Sequence, residues 1–152
     1  MTDVQIQPGA VVVGVDGSEG SRAALQWAVD EAAASHRRAY AVAVCADVVY
    51  TAPFPGYLEP AAGADPLADA RAGLEQTVAE VLGDGWKDDV TLEVAAGSPA
   101  TVLRELSESA GLLVVGASGH GAVLASLLGS VAEQLVHHAA CPVTVVRATP
   151  PV

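Results

Sequence analysis

Basic residues are scarce in this chain. Seven Lys and Arg face 18 Asp and Glu, a formal charge of −11 at pH 7. A surface this acidic repels a phosphate backbone, which argues against nucleic acid and anionic membranes as partners. An anionic ligand would have to be held by local dipoles. Aromatic residues are equally sparse, at 4% against 51% hydrophobic. The core is therefore built from Val, Leu and Ala, which suits strands buried on both faces of a parallel sheet. There are two cysteines, Cys45 and Cys141, in apolar surroundings and without metal-ligand spacing. They read as reduced core thiols of a cytoplasmic protein. Met1 to Ala10 has neither the basic nor the apolar region of a signal peptide, so a cytoplasmic location is expected. Ser109 to Ala132 has no Asp, Glu, Lys or Arg over a bilayer-spanning length. Gly116, Gly119, Gly121, Gly129 and His120 interrupt it, and a buried strand with its loop explains it better than a membrane span.

What is present is an alternation of short apolar runs and helical stripes over 152 residues, one domain's length. Ala10 to Gly14, Tyr40 to Ala46, Val90 to Ala95, Leu112 to Val115 and Pro142 to Arg147 read as five strands. Ser18 caps a first helix with Ala24, Leu25, Ala28, Val29 and Ala32 at helical spacing. Asp47 to Asp65 holds several prolines and reads as a long loop. Asp65-Pro66 starts a second helix, with Leu67, Ala70, Leu74, Val78, Val81 and Leu82 as its stripe. Ser98-Pro99 repeats that device before Val102, Leu103 and Leu106. Ser130 to His138 is a helix opened by a capping box, Ser130 with Glu133. Such an order implies right-handed crossovers and a parallel sheet. It forms a single domain, residues 1–152.

In the usual doubly wound arrangement the first and fourth strands are neighbours, and ligands bind where they diverge. Those two strands end in the two glycine-rich turns, Gly14-Val15-Asp16-Gly17-Ser18 and Gly116-Ala117-Ser118-Gly119-His120-Gly121. Glycines let a backbone approach a ligand, and successive N–H groups cradle an anion. Between Gly116–Gly119 and the helix start at Gly129-Ser130, a phosphate chain would meet amide donors and a hydroxyl. On spacing alone an alternative stays open, in which Gly116 is a simple turn and Ser130 a simple cap. A P-loop is excluded, because the only lysine, Lys87, is far from both turns. The dinucleotide fingerprint is absent from them. A nucleophile elbow would need glycine where His120 stands.

Gly116-x-x-Gly119, nine residues, then Gly129-Ser130 resembles the ATP-binding pattern of the universal stress protein family. The likeness spans essentially the whole chain. It includes Val13 to Ser18, Gly97-Ser98-Pro99, Leu113 to Gly116, Leu127 to Val131 and Cys141-Pro142-Val143. The resemblance implies a Rossmann-like, adenine nucleotide alpha hydrolase-like α/β three-layer sandwich with a five-stranded parallel sheet of order 3-2-1-4-5. It implies that Asp16 lies near the ribose and the metal-bound phosphates, with Mg²⁺ accompanying ATP. Gly14 then flanks the base, Cys45 meets adenine, and Val15 is counted with the same site. Val115, Gly116, Ser118 and Gly119 wrap the ribose and phosphates, and Gly129, Ser130, Val131 and Ala132 complete the phosphate site; His120 reads equally as a phosphate contact or as a plain loop residue. It further implies a homodimer through the last strand. Three positions depart from the pattern: Gly111 replaces a common acidic residue, Ser118 a common basic or imidazole one, and Ala132 lacks a hydroxyl. The last two changes remove phosphate contacts.

Other conspicuous residues read as structure. Asp16 by itself reads as a helix cap. Adjacent His137 and His138 face different ways and suit the end of a helix dipole better than a metal. Trp27 and Trp86 read as core or edge packing. No lysine, arginine finger or water-orienting base accompanies the site, so phosphoryl transfer is expected to be slow or absent and ATP to act as a signal. The rival readings are a slow ATPase or phosphotransferase, and a family member that takes cyclic AMP or no nucleotide. The regulatory protein partner is not legible.

Overall fold

The structure, a computed structural model, describes residues 2–46, 65–118 and 128–148. The elements run β1 (Val11–Gly14), α1 (Glu19–Ala34), β2 (Ala39–Cys45), α2 (Pro66–Leu82), a 3-10 turn (Trp86–Asp88), β3 (Thr91–Ala96), α3 (Pro99–Ser107), β4 (Leu112–Gly116), α4 (Ser130–His138) and β5 (Val143–Val146). The strands form one sheet in the order β3-β2-β1-β4-β5, with every pairing parallel. This is the doubly wound arrangement expected. Strand ends differ from the sequence reading by a residue or so, the usual uncertainty at element ends. The Asp47–Asp65 loop lies outside the described residues up to position 64.

Strand alternation makes the three layers. Val11, Val13, Leu112 and Val114 face α1 and α2, whereas Val12, Leu113 and Val115 face α3 and α4. All seven are buried, at about 1.5–3 kcal/mol for each large side chain fully removed from water. Small residues let helices and sheet approach: Ala24, Ala28 and Ala32 of α1 lie on Ala39 and Ala41 of β2 within one cluster. At the sheet's edge all four residues of β5 are only half-buried.

The helix starts separate local from long-range signals. Asp65 caps α2 as expected, its Oδ1 accepting from the N–H groups of Leu67 at 3.1 Å and Ala68 at 3.2 Å, with Pro66 following. Ser98 stands at the cap of α3 but makes no side-chain cap hydrogen bond. The Ser130–Glu133 capping box does not form. Gly129 is the cap of α4 and Ser130 is already its first helical residue. The cause is tertiary: the Gly129 N–H donates to the Ala117 carbonyl at 2.7 Å, which starts the helix one residue early. Two apolar expectations also fail. Leu67 is 44% exposed and Trp27 38% exposed, whereas Trp86 packs against the core under α2. No helix among the described residues is long and apolar enough to cross a membrane.

Candidate functional site

β1 and β4 lie side by side, Val13 opposite Val114, and their carboxyl ends carry the two glycine turns. A Cβ on Gly116 would stand 2.6 Å from the Gly20 carbonyl carbon and 2.9 Å from the Ser21 nitrogen. One on Gly20 would stand 2.6 Å from the Ser118 oxygen. The first turn of α1 thus sits directly on the end of β4, and both glycines are required by that packing. Gly14 is similarly close to α3, its missing Cβ falling 2.9 Å from Leu103 Cδ1.

The second turn is tied on its other side. Ala117 donates to the Val146 carbonyl at 2.8 Å and accepts from Gly129 at 2.7 Å, which joins β4, α4 and β5 at one point. Gly116, Ser118, Gly129 and Ser130 are therefore brought together. Val15, Val115 and Ala132 are buried, at 6%, 3% and 2% exposure. Val131 is half-buried against the same core. Cys45 ends β2, half-buried, and its carbonyl accepts from Gly97 N–H at 2.9 Å. Gly119 and His120 lie outside the described residues.

Asp16 is exposed at the tip of the first turn. Its Oδ1 accepts from Ser18 N–H at 2.9 Å and from the Ser18 hydroxyl at 2.5 Å. The cap of α1 is Ser18, whose Oγ accepts from Ser21 N–H at 3.2 Å. Asp16 is thus not the cap itself but the residue that holds the cap. Ser21, 4% exposed, closes the loop: its Oγ accepts from Asp16 N–H at 3.2 Å and donates to the Ser18 carbonyl at 3.1 Å.

Sequence reasoning passed over Gly20, Ser21 and Arg22. A glycine inside a helix costs about 1 kcal/mol against alanine, and Gly20 could have been noticed for that reason. Arg22 places a cation beside the turn, its Nε donating to the Gly17 carbonyl at 3.3 Å and its guanidinium 2.8 Å from Glu80 of α2. The Arg22 hydrogen bond to Glu80, with one from Gln76, lowers the Glu80 pKa below its ordinary value. His137 and His138 sit exposed in the last turn of α4, the opposite end from Gly129. Among the described residues no group of His, Cys, Asp and Glu is placed to hold a metal by itself. The thiols are unpaired and half-buried, Cys141 with its pKa raised by desolvation.

A parallel sheet of order 3-2-1-4-5 with helices on both faces defines a doubly wound α/β domain, with its candidate site at the switch point. The universal stress protein family matches residues 9–147, and the chain belongs to that family. Universal stress proteins of Mycobacterium bovis and Mycobacterium tuberculosis are 36% identical over 143 residues, covering 90% of this chain and 47% of theirs. One of Mycolicibacterium smegmatis is 37% identical over 140 residues, with the same coverage. The chain spans about half the length of these curated relatives.

Solved structures agree on the fold. The universal stress protein UspA from Lactobacillus plantarum superposes with a TM-score of 0.70 at 24% identity, covering 94% of this chain and 100% of its own. A universal stress protein in complex with cAMP gives 0.61 at 25% identity, covering 95% and 100%. One from Archaeoglobus fulgidus in complex with dAMP gives 0.59 at 18% identity, covering 93% and 99%.

Proposed function

We propose that this chain binds an adenine nucleotide, ATP with Mg²⁺, at the β1–β4 switch point and uses it as a regulatory signal in the cytoplasm. The observation that carries the reading is the Gly129-to-Ala117 hydrogen bond, which sets the second glycine turn against a helix start that has no side-chain cap. Uncapped N–H groups and a partial positive charge of about half a unit favour phosphate there. Ser130 adds an exposed residue with a hydroxyl at the same point. The donor set fits the group: backbone amides and a hydroxyl toward anionic oxygens, and the Asp16 carboxylate toward a cation shared with them. Mg²⁺, when bound, would neutralise phosphate charge. Cys45 and Gly14, at the ends of neighbouring strands, border the base.

Fast phosphoryl transfer finds little support. Lys87 lies in the 3-10 turn with its Nζ 5.8 Å from the Trp86 ring centroid. Arg22 is committed to Gly17 and Glu80. A second reading, cyclic AMP in place of ATP, draws support from the related structure in complex with cAMP. Calorimetric titration with ATP, AMP and cyclic AMP, each with Mg²⁺, tests both readings. ATP should bind most tightly, and at a hundredfold excess over Kd it should stabilise the fold by about 2.7 kcal/mol. Tighter cyclic AMP binding would select the second reading. No binding to folded, nucleotide-free protein would end both.

The same proposal includes a homodimer through β5. Its half-buried valines lie at the sheet edge, where unpaired N–H and C=O groups invite a second strand. Proline at Val145 removes a donor and should convert dimer to monomer in light scattering. A monomeric parent, or a folded and dimeric Val145→Pro, would remove the interface.

A further inference from the structure

We propose that Ser21 is a positioning residue of the candidate nucleotide site, setting the Asp16 carboxylate for the metal-bound phosphates; this rests on the nucleotide reading above. Its place in α1 looks like that of an ordinary helix residue, yet its side chain points back into the turn. Ser21 is 4% exposed, and its hydroxyl does two jobs at once. It accepts the Asp16 N–H at 3.2 Å and donates its proton to the Ser18 carbonyl at 3.1 Å. The first bond fixes the backbone of Asp16. The second fixes Ser18, whose own N–H and O–H both donate to Asp16 Oδ1, at 2.9 Å and 2.5 Å. Two donors converging on one carboxylate oxygen set the plane of the group, and with it the direction of Oδ2. Backbone and side chain of Asp16 are thus both referred to one buried hydroxyl.

A helix cap alone does not need this arrangement. Ser18 caps α1 by accepting from Ser21 N–H, and Asp16 supports that cap through Oδ1; the cap sets no requirement on the direction of Oδ2. What orientation serves is a ligand with a directional demand. Among the ligands the site admits, a divalent cation shared with phosphate oxygens has the strictest demand on a carboxylate. The prediction is therefore specific to the metal: without Ser21 Oγ the nucleotide still meets the α4 amides, but the carboxylate no longer stands where the cation needs it.

The experiment is calorimetric titration of ATP, with Mg²⁺ and with EDTA, into wild type, Ser21→Ala, Asp16→Asn and the double variant, with urea melts alongside. Ser21→Ala should weaken Mg²⁺-ATP binding about fivefold, the scale of one lost hydrogen bond between neutral groups. Metal-free ATP should change by less than about twofold, and the double variant should match Asp16→Asn alone. Equal losses with and without Mg²⁺ would make Ser21 merely structural, and no loss would make it irrelevant; either overturns the proposal. Ser21→Cys, of similar size but a weaker acceptor, should fall between wild type and alanine, and decides the matter if alanine does not fold. Wild type that binds no ATP would instead overturn the nucleotide reading itself.

Discussion

The starts of α1 and α4 look alike in sequence, each a glycine turn leading to a serine, yet they are built to opposite ends. At α1 the first turn is closed upon itself by Asp16, Ser18 and Ser21 through five hydrogen bonds. At α4 the cap is Gly129, which has no side chain to offer. Both helices point positive ends toward the switch point. One end is answered by the carboxylate and hydroxyls of its own turn, and the other has a cap residue with no side chain. α3 also lacks a side-chain cap, so an uncapped start is not distinctive in itself. The distinction of α4 is the hydrogen bond that ties its cap to the β4 turn. A chain with formal charge −11 can hold an anion through such a local arrangement, because partial charges a few ångströms away outweigh dispersed, solvent-screened ones.

The most severe way to break the comparison is to separate the two starts. Gly116→Val places a branched side chain where even a Cβ would lie 2.6–2.9 Å from backbone atoms of Gly20 and Ser21. Backbone cannot rotate aside, so the first turn of α1 must move off β4. A stability loss of about 3 kcal/mol is expected in urea melts, at the upper end for overpacking. A loss under about 1 kcal/mol would mean that α1 is not wedged against β4.

A smaller effect distinguishes the serines. Ser18→Ala removes a cap and should cost about 1 kcal/mol. Ser130→Ala removes a hydroxyl that caps nothing and should leave the urea midpoint nearly unchanged. Similar losses from both would restore Ser130 to the capping role its sequence suggests.

That contrast also marks how far the sequence could be read. The parallel sheet was legible because its strands are short, apolar and separated by helical stripes, and the order followed from the fold the pattern resembles. The meeting of the first glycine turn with Gly116 was legible for the same reason, since topology places the ends of β1 and β4 together. What local pattern could not supply was anything decided by contact across the chain. The cap of α4 falls on Gly129, which is held by Ala117 twelve positions away. Gly20 is buried for the sake of β4, and Ser21 turns back toward Asp16. Exposure of Leu67 and Trp27 fails for a related reason: helical periodicity assigns a face but does not say where the sheet beneath it ends. Gly111 shows the same limit. It read as a missing acidic residue, yet a Cβ there would fall 2.5 Å from the Gly9 oxygen, so close packing accounts for the glycine.

A small gain in stability sharpens the comparison most, because stability and binding should move in opposite directions. Gly129→Asp gives α4 the kind of cap that α1 already has. The backbone permits it, since Gly129 has φ −65° and ψ 162°, an extended conformation open to any L-residue and typical of a cap. The new carboxylate would accept an N–H of the first turn and sit at the positive end of the helix. Replacing glycine by a good capping residue is worth only a few tenths of a kcal/mol, and a charge at a helix start about 0.3–1 kcal/mol. A gain of about 0.5 kcal/mol is therefore expected, read as a raised urea midpoint with an unchanged slope. The same carboxylate would occupy the donors a phosphate needs and repel it. ATP binding should fall by at least about tenfold, while Ser18→Ala, on the other helix start, should spare it more. A variant that is stabilised and binds ATP like wild type would show that the phosphates do not use the start of α4. A variant that is destabilised would show that the turn at Gly129 cannot admit a side chain, and Gly129→Ser would then carry the comparison without added charge.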